Sequence, residues 1–214
     1  MIPAKTPRIL KQLFPNYIWD ITKTAEKKLY LTFDDGPIPE VTEYVLQELK
    51  KFNAKATFFC IGDNIRKHPE IFQKVLQDDH AIGNHTMHHL KAWKSNKKAY
   101  LENILQCEEE IKKHIPYTAS EKIFRPPYGQ ISINKFKAIQ KRGYQIVLWD
   151  TLAKDWEQKY NTTQCYQNVI QNAENGSIVI LHDSVKACNN LKNCLPQLLT
   201  YYSEKGFRFE KLEF

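Results

Sequence analysis

The chain has 214 residues, 42% of them hydrophobic and 26% charged, and it carries a formal net charge of +7. This length and composition are typical of one globular domain with a sizeable core. The basic residues are spread along the sequence without aromatic and basic repeats, so we expect a solvated basic surface and no nucleic-acid partner.

Residues 1–26 are interpreted as an N-terminal extension packed on a main domain of residues 27–214. The spacing of four apolar residues in the extension predicts a short helix whose apolar side lies against the domain. A membrane-surface helix is the alternative, but the segment is short for one. The four apolar residues are Ile9, Leu10, Leu13 and Phe14.

The N-terminus lacks the apolar core of a secretory signal, because Lys11 and Gln12 interrupt its apolar residues. No apolar run approaches the length of a membrane-spanning helix, so we expect no transmembrane segment. The sequence as it stands therefore predicts a cytoplasmic protein. The cell envelope is the alternative if the sequence is the trimmed form of an exported protein.

The sequence contains five cysteines, an odd number, and no CxxC pair. This pattern predicts free thiols rather than a disulfide framework or a cysteine zinc site. In an exported protein, two of them could still close a small loop, Cys188 and Cys194.

Residues 29–33 are apolar, aromatic or β-branched and predict a buried strand, which ends at Asp34-Asp35-Gly36-Pro37. Adjacent carboxylates repel each other and seldom persist half-buried unless a cation or a shared proton compensates. A solvated turn is the plain alternative. A metal site at this pair would need further ligands elsewhere in the chain.

The rest of the chain alternates short apolar strands with amphipathic helices. Further strands are predicted at residues 55–61, 81–84, 123–125, 144–149 and 178–181. Helices are predicted around residues 41–49, 69–76, 100–111, 136–139, 169–173 and 191–202. This alternation predicts an α/β fold, a parallel sheet, open or closed into a barrel, that is covered by helices. Polar clusters follow the carboxyl ends of its strands, where α/β folds carry their active sites.

Three histidines lie close together after the strand at residues 81–84. His85 and His89 are four residues apart and would share a helix face if the segment begins a helix, a spacing that suits two ligands of one cation. The pair of His85 and His88 is the alternative. One aspartate and two imidazoles make a three-ligand site with open positions, which is typical of catalytic zinc-type centres. Such a cation activates water, and the second aspartate is free to act as its base, so the set predicts a hydrolase.

Two further polar residues follow predicted strands. Arg125 is expected to pair with a carboxylate of the site, while Pro126-Pro127 fixes the loop that follows. His182 is placed where a general acid could protonate a leaving group, and a core histidine bonded to the backbone is the alternative. Asp183 is interpreted as a cap of the next turn.

Five motifs, taken together, resemble the polysaccharide deacetylases with a NodB homology domain, carbohydrate esterase family 4. The similarity extends from about residue 27 to the C-terminus, and its first and third motifs are highly specific. The motifs are Thr32-Phe33-Asp34-Asp35-Gly36-Pro37, His85-Thr86-Met87-His88-His89, Arg125-Pro126-Pro127-Tyr128-Gly129, Asp155-Trp156 and Leu181-His182-Asp183.

The resemblance implies a distorted (β/α)7 barrel of parallel strands covered by helices. It also implies metal-dependent removal of N-acetyl groups from N-acetylglucosamine polymers such as peptidoglycan or chitin oligomers, with release of acetate. The implied cofactor is a divalent metal, zinc in the first place and cobalt or nickel as alternatives. The partner is then an amino-sugar glycan, and we expect a monomer.

Carried over by position, the resemblance makes Asp34 the general base and His182 the general acid. Arg125 would hold Asp34, and Asp155 would support His182. The backbone N–H of Tyr128 would stabilise the tetrahedral oxyanion.

The resemblance also assigns ligands and pocket residues. The metal ligands would be Asp35, His85 and His89. The substrate pocket would be lined by Trp156, Leu181 and Pro127.

The chain departs from the family pattern at Leu152, where many members carry an aspartate three residues before Asp155. The departure implies altered support of the acid and the base. A related amidase acting on a small non-sugar amide is the first alternative function, favoured by a cytoplasmic location. A catalytically silent carbohydrate-binding barrel has no need of both a base and an acid, and an aspartate-based phosphatase leaves the histidine pair unexplained.

Overall fold

The computed structural model describes residues 3–21, 25–116 and 122–214. Strands and helices alternate along the chain. The strands are β1 (Lys28–Asp34), β2 (Thr57–Cys60), β3 (Ala81–Asn84), β4 (Ile123–Phe124), β5 (Gln145–Ile146), β6 (Thr151–Leu152), β7 (Ile178–His182) and β8 (Arg208–Phe209). The α-helices are α1 (Arg8–Leu13), α2 (Val41–Lys51), α3 (Gly62–Lys67), α4 (Pro69–Gln77), α5 (Lys97–Lys112), α6 (Ile133–Gln140), α7 (Thr162–Ile170) and α8 (Cys188–Glu204).

The strands form one parallel sheet in the order β5-β4-β3-β2-β1-β7-β6, and β8 pairs with the start of β1. The sheet curls into a half-barrel with helices around it. The prediction of an α/β fold with seven parallel strands covered by helices is confirmed. Because all the strands run the same way, their carboxyl ends meet at one rim.

Successive side chains of a strand point to opposite faces, and this alternation separates two apolar clusters. Leu31 and Phe33 of β1 pack outward with the helices, whereas Tyr30 belongs to a smaller inner cluster. Thr32 and then Asp34 follow Tyr30 on this inner face of β1, and the register partner of Asp34 on β7 is His182. The sheet therefore places these two polar side chains side by side at the rim.

The strand predicted at residues 144–149 is shorter in the structure. The strand there, β5, covers only Gln145–Ile146; Val147 then forms an isolated bridge with Ile18, and ladder pairing resumes at β6. The carbonyls of Val147 and Leu148 instead accept hydrogen bonds from the Arg125 side chain, at 3.4 and 2.8 Å. The elements α3, β6 and β8 were not predicted, because each is short and carries little apolar pattern.

The helix α1 does not pack through its apolar side. Ile9 and Leu13 are 66% and 67% exposed, so the prediction of an apolar contact with the domain is wrong. Lys11 of this helix instead forms ion pairs with Asp20 of the extension and with Asp150 of the domain. The helix is thus attached by polar contacts, whereas Tyr17, Ile18 and Ile21, which follow it, pack against the apolar clusters of the domain.

The cysteines agree with one expectation from the sequence and exclude another. The five cysteines are free. Cys188 and Cys194 lie on the same helix, α8, and six residues of α-helix rise about 9 Å, farther than the roughly 7 Å that a disulfide allows between Cα atoms. The proposed loop between them is therefore excluded.

Among the described helices, none combines the length and the apolar character needed to cross a bilayer.

Candidate active site

A cavity of about 570 Å³ opens at the carboxyl rim of the sheet. It gathers side chains that are far apart in the sequence and that follow β1, β3, β4 and β7. Among its lining residues are Asp34, Asp35, His85, His89, Tyr128 and His182.

Asp35 and two histidines form a compact cluster on one wall of the cavity. Asp35 Oδ1 lies 3.8 Å from His85 Nε2 and 3.4 Å from His89 Nε2. One potential ligand atom from each of the three residues lies within 4.8 Å of the others. Asp35 Oδ1 is buried and has no hydrogen-bond partner among the described residues. A buried carboxylate oxygen without a partner is costly, and a cation at this position would remove that cost.

The loop that carries the two histidines is not helical. Thr86 and His89 have positive φ angles of 67° and 52°, and Asn103 Oδ1 of α5 accepts the backbone N–H of Met87 at 2.9 Å. The prediction that His85 and His89 share a helix face is therefore wrong. The tight loop nevertheless brings their rings together, with centroids 5.1 Å apart.

His88 lies outside the cluster. Its side chain is exposed and lines a separate surface groove with Arg66 and Glu102. The alternative pairing of His85 with His88 is therefore wrong.

His85 is prepared as a neutral ligand. Its Nδ1 lies 2.7 Å from the carbonyl oxygen of Arg125, which can only accept, so Nδ1 carries the proton and Nε2 keeps its lone pair. Burial lowers the pKa of His85 to about 4, although Asp34 raises it. The ring is consequently neutral at physiological pH, the form in which imidazole binds metals.

Asp34 is held by a fully buried arginine. Arg125 Nη1 donates to Asp34 Oδ1 and to Thr32 Oγ1, both at 2.7 Å, while its guanidinium carbon lies 4.0 Å from the centre of the Phe59 ring. The other oxygen, Asp34 Oδ2, lies 3.8 Å from His85 Nε2. One carboxylate oxygen is thus fixed, and the other faces the histidine cluster.

His182 lies beside Asp34 on the neighbouring strand β7, and Asp155 holds it. Asp155 accepts both the backbone N–H of His182, at 2.7 Å, and its Nδ1, at 2.9 Å. Burial alone would lower the pKa of His182, but the charge and hydrogen bond of Asp155, together with Asp35 and Asp34, raise it to about 9. The ring is therefore protonated at neutral pH, and the indole of Trp156 packs against it with centroids 4.5 Å apart.

Tyr128 follows β4 in a tight turn with a positive φ of 64°. Its ring packs against His89 with centroids 4.7 Å apart. Pro127 is buried behind this turn and is not among the lining residues, so its placement in the pocket is wrong.

Leu181 was also predicted to line the pocket, and this prediction is wrong. It is fully buried in the outer cluster against the helices, because it alternates with Ile180 and His182 along β7. Ile180 lines the cavity instead, with Leu152 as its register partner on β6. Leu152 thus contributes an apolar wall at the position where the family resemblance implied an aspartate.

Comparison with known proteins decides the family. The family model described as polysaccharide deacetylase matches residues 22–147, more than half of the chain. The chain belongs to the polysaccharide deacetylase family.

Relatives in this family are similar over most of their length. A Bacillus cereus peptidoglycan-N-acetylglucosamine deacetylase is 36% identical over 203 residues, which is 93% of each chain. A chitooligosaccharide deacetylase of Azorhizobium caulinodans is 32% identical over 187 residues, 87% of this chain and 84% of the relative.

A solved structure of the family is equally similar. The crystal structure of the Bc1960 peptidoglycan N-acetylglucosamine deacetylase, in complex with 4-naphthalen-1-yl-N-oxidanyl-benzamide, superposes with a TM-score of 0.87 at 31% identity. The match covers 97% of this chain and 95% of that one.

Polysaccharide deacetylases are metal-dependent, and the residues present here fit a divalent cation. The donor set comprises one carboxylate oxygen and two imidazole nitrogens, Asp35, His85 and His89. The unpartnered oxygen of Asp35 and the neutral ring of His85 are the local signs that a cation belongs between them.

Asp183 is a residue of the site whose role the sequence did not reveal. It is fully buried and accepts hydrogen bonds from Gly36 N at 3.0 Å and Thr42 Oγ1 at 2.6 Å, so it does not cap a turn as predicted. Burial raises the pKa of Asp183 to about 8 against these hydrogen bonds. A Cβ at Gly36 would lie 1.9 Å from Asp183 Oδ2, which explains why glycine follows the aspartate pair.

Proposed function

We propose that this chain is a metal-dependent hydrolase that removes N-acetyl groups from N-acetylglucosamine-containing glycans, peptidoglycan or chitin oligomers, and releases acetate. The observation that carries the proposal is the convergence of three groups in one cavity. These groups are the Asp-His-His cluster, the carboxylate of Asp34 held by Arg125, and the imidazolium of His182 held by Asp155.

Asp35, His85 and His89 would hold the metal, with zinc as the first candidate and cobalt or nickel as alternatives. A bound divalent cation would polarise the acetamide carbonyl and lower the pKa of a water molecule. The remaining steps depend on groups of the chain itself.

Asp34 acts as the general base. Arg125 occupies Oδ1, which leaves Oδ2 on the side of the cavity to accept a proton from the attacking water. The water oxygen then bonds to the acetyl carbon. The backbone N–H of Tyr128, presented by its strained turn, is the donor toward the oxyanion that forms.

His182 acts as the general acid. Because Asp155 holds Nδ1, the proton that can be delivered is on Nε2. It passes to the sugar nitrogen as the carbon–nitrogen bond breaks, which releases acetate and a free amine. Trp156 packs against the ring, and Ile180 and Leu152 form an apolar wall of the cavity for the acetyl methyl group.

The test is acetate release from N-acetylglucosamine oligomers and from peptidoglycan, with chelator-stripped protein and again after addition of zinc, cobalt or nickel. Release that is restored by metal supports the proposal, and the two substrates rank the glycan class. Absence of release on both substrates from metal-loaded protein would contradict it. Hydrolysis of small non-sugar amides would then favour the amidase alternative.

All the proposed groups come from one chain, so we also propose that the monomer is the active species. Size-exclusion chromatography coupled to light scattering, at the concentration of the assay, tests this point. An active fraction found only in a larger species would overturn it.

A further inference from the structure

We propose that the N-terminal segment of residues 3–21 is a positioning element of the active site. The segment is hydrogen-bonded to residues 146–152. These residues in turn contact the Arg125 side chain and the turn that carries Tyr128. The inference rests on the proposed function, because it assigns the segment to the same catalytic groups.

The first step concerns Arg125. Ile18 N donates to Ile146 O at 2.9 Å, and Leu148 N donates to Ile18 O at 2.7 Å. These two bonds fix the peptide units on both sides of Val147. The carbonyls of Val147 and Leu148 are the acceptors that hold the Arg125 guanidinium, which in turn holds Asp34.

The second step concerns the cavity wall. Thr6 Oγ1 donates to Trp149 O at 2.7 Å, and Leu152 N donates to Ala4 O at 2.8 Å. Trp149 and Leu152 both line the cavity. A Cβ at Gly129 would lie 2.4 Å from the Trp149 indole, so this ring directly supports the turn that presents Tyr128.

Two lysines fasten the segment. Asp150 is 1% exposed and accepts Lys5 Nζ at 2.7 Å, as well as Lys11 Nζ and Ser177 Oγ. Lys5 Nζ also donates to Asn172 O at 2.7 Å. A buried carboxylate that loses its cations is strongly unfavourable, so removal of both lysines would release the segment from residues 149–152.

The hydrogen bonds of the segment converge on residues next to the site, while Tyr17, Ile18 and Ile21 add apolar contacts to the core. Within the described part of the chain, the hydrogen bonds that leave residues 3–21 go to residues 146–152 and 172–176. The apolar side chains of α1 remain exposed. Residues 147–150 join β5 to β6, the two ends of the strand order, so the segment supports the stretch where the sheet lacks a ladder of its own.

The test compares the double variant Lys5→Met/Lys11→Met with its matched control Lys5→Arg/Lys11→Arg, in the full chain loaded with zinc. We expect kcat to fall on the order of tenfold at nearly unchanged KM and metal content, because small misplacements of catalytic groups cost rate rather than binding. The arginine pair keeps the charges and should restore kcat. Lys74→Met removes a more exposed ion pair with Glu43, between α2 and α4, and should leave kcat unchanged.

If the double variant does not fold, a single substitution still tests whether the segment positions the site. Thr6→Val removes only the hydroxyl that holds the Trp149 carbonyl and should lower kcat in the same direction. Wild-type kcat in both Thr6→Val and the folded lysine double variant would overturn the proposal.

A second readout does not depend on turnover. In protein labelled with 5-fluorotryptophan, the fluorine resonance of Trp149, assigned with Trp149→Phe, should move or broaden in the lysine double variant and in Thr6→Val, whereas that of Trp93 should not. An unmoved Trp149 resonance would overturn the proposal. If the wild type releases no acetate, the proposed function fails, while the fluorine spectrum still decides whether the segment positions the cavity wall.

Discussion

The carboxylate of Asp155 binds His182 twice, through the backbone N–H at 2.7 Å and through ring Nδ1 at 2.9 Å. The two contacts fix both the position of the residue and the rotation of its ring. They also leave a single ring proton, on Nε2, for delivery into the cavity. The charge of Asp155 keeps that proton in place at neutral pH.

Asp155→Asn should move the alkaline limb of the pH–rate profile to lower pH. The pKa of His182 is raised to about 9 by Asp155 against the effect of burial, so kcat/KM should fall as the pH rises through about 9 in the wild type. A neutral amide removes the charge and should shift the limb downward by about one pH unit or more. Profiles between pH 6 and 10 measure this. Asp63→Asn, at a partly exposed carboxylate paired with Arg66, is the control, and an unmoved limb in Asp155→Asn would contradict the acid assignment.

Asp34→Asn should abolish turnover while metal binding is retained. The amide cannot accept the proton of the attacking water, and loss of a general base lowers kcat by roughly 10²- to 10⁴-fold. Acetate release and metal content of the same preparation measure the two effects. An active variant would contradict the role of Asp34 as the base.

His85→Ala and His89→Ala should each lower the metal content and the activity together, because each removes one of the three proposed ligands. His88→Ala is the matched control, since its side chain is exposed outside the cavity. Metal analysis after dialysis against a weak chelator separates the three variants. Full metal content in His85→Ala or His89→Ala would require a different ligand set.

Gly36→Ala should destabilise the protein and disturb the aspartate pair. The new Cβ would lie 1.9 Å from Asp183 Oδ2, and overpacking of this kind costs roughly 1–3 kcal/mol in the free energy of unfolding. Urea unfolding measures the loss. Gly36 does not have the positive φ that disfavours alanine, so a loss at this position reports the clash. An unchanged free energy of unfolding in Gly36→Ala would argue against the predicted clash.

Asp183→Asn should flatten the dependence of stability on pH between about 4 and 8. The folded-state pKa of about 8 lies above the ordinary value of 3.8, so the native state binds this proton more tightly than the unfolded state does. The stabilisation is complete below pH 3.8 and is lost as the pH rises through about 8. Unfolding midpoints of chelator-treated protein at several pH values measure the slope. Glu102→Gln, at an exposed carboxylate, should retain the wild-type slope.

The fold class could be predicted from the alternation of strands and helices. Most of the candidate site could be predicted from the polar residues at the strand ends. Alternating strands and helices predicted a parallel sheet, and a parallel sheet gathers its carboxyl ends at one rim. The residues that follow those ends, such as Asp34, His85 and His182, therefore had to converge. Their types then limited the chemistry to a metal-assisted hydrolysis.

The errors arose where tertiary contacts override local pattern. His85 and His89 have helical spacing, but Asn103 of α5 holds their loop in another conformation. Leu181 is next to His182 in sequence and on the opposite face of β7 in space. The role of Asp183 depends on Gly36, 147 residues away in the chain, and no local signal connects them.

The alignment of Asp34 with His182 across β1 and β7 also limits how the chain can change over evolutionary time. Side chains in a strand alternate with a period of two, so a deletion of one residue inside β7 would turn His182 toward the helices and Leu181 into the cavity. After this one change, the proposed base and the proposed acid would no longer face the same cavity. Insertions should accumulate in the surface loops, whereas the length of these two strands should be inherited almost unchanged.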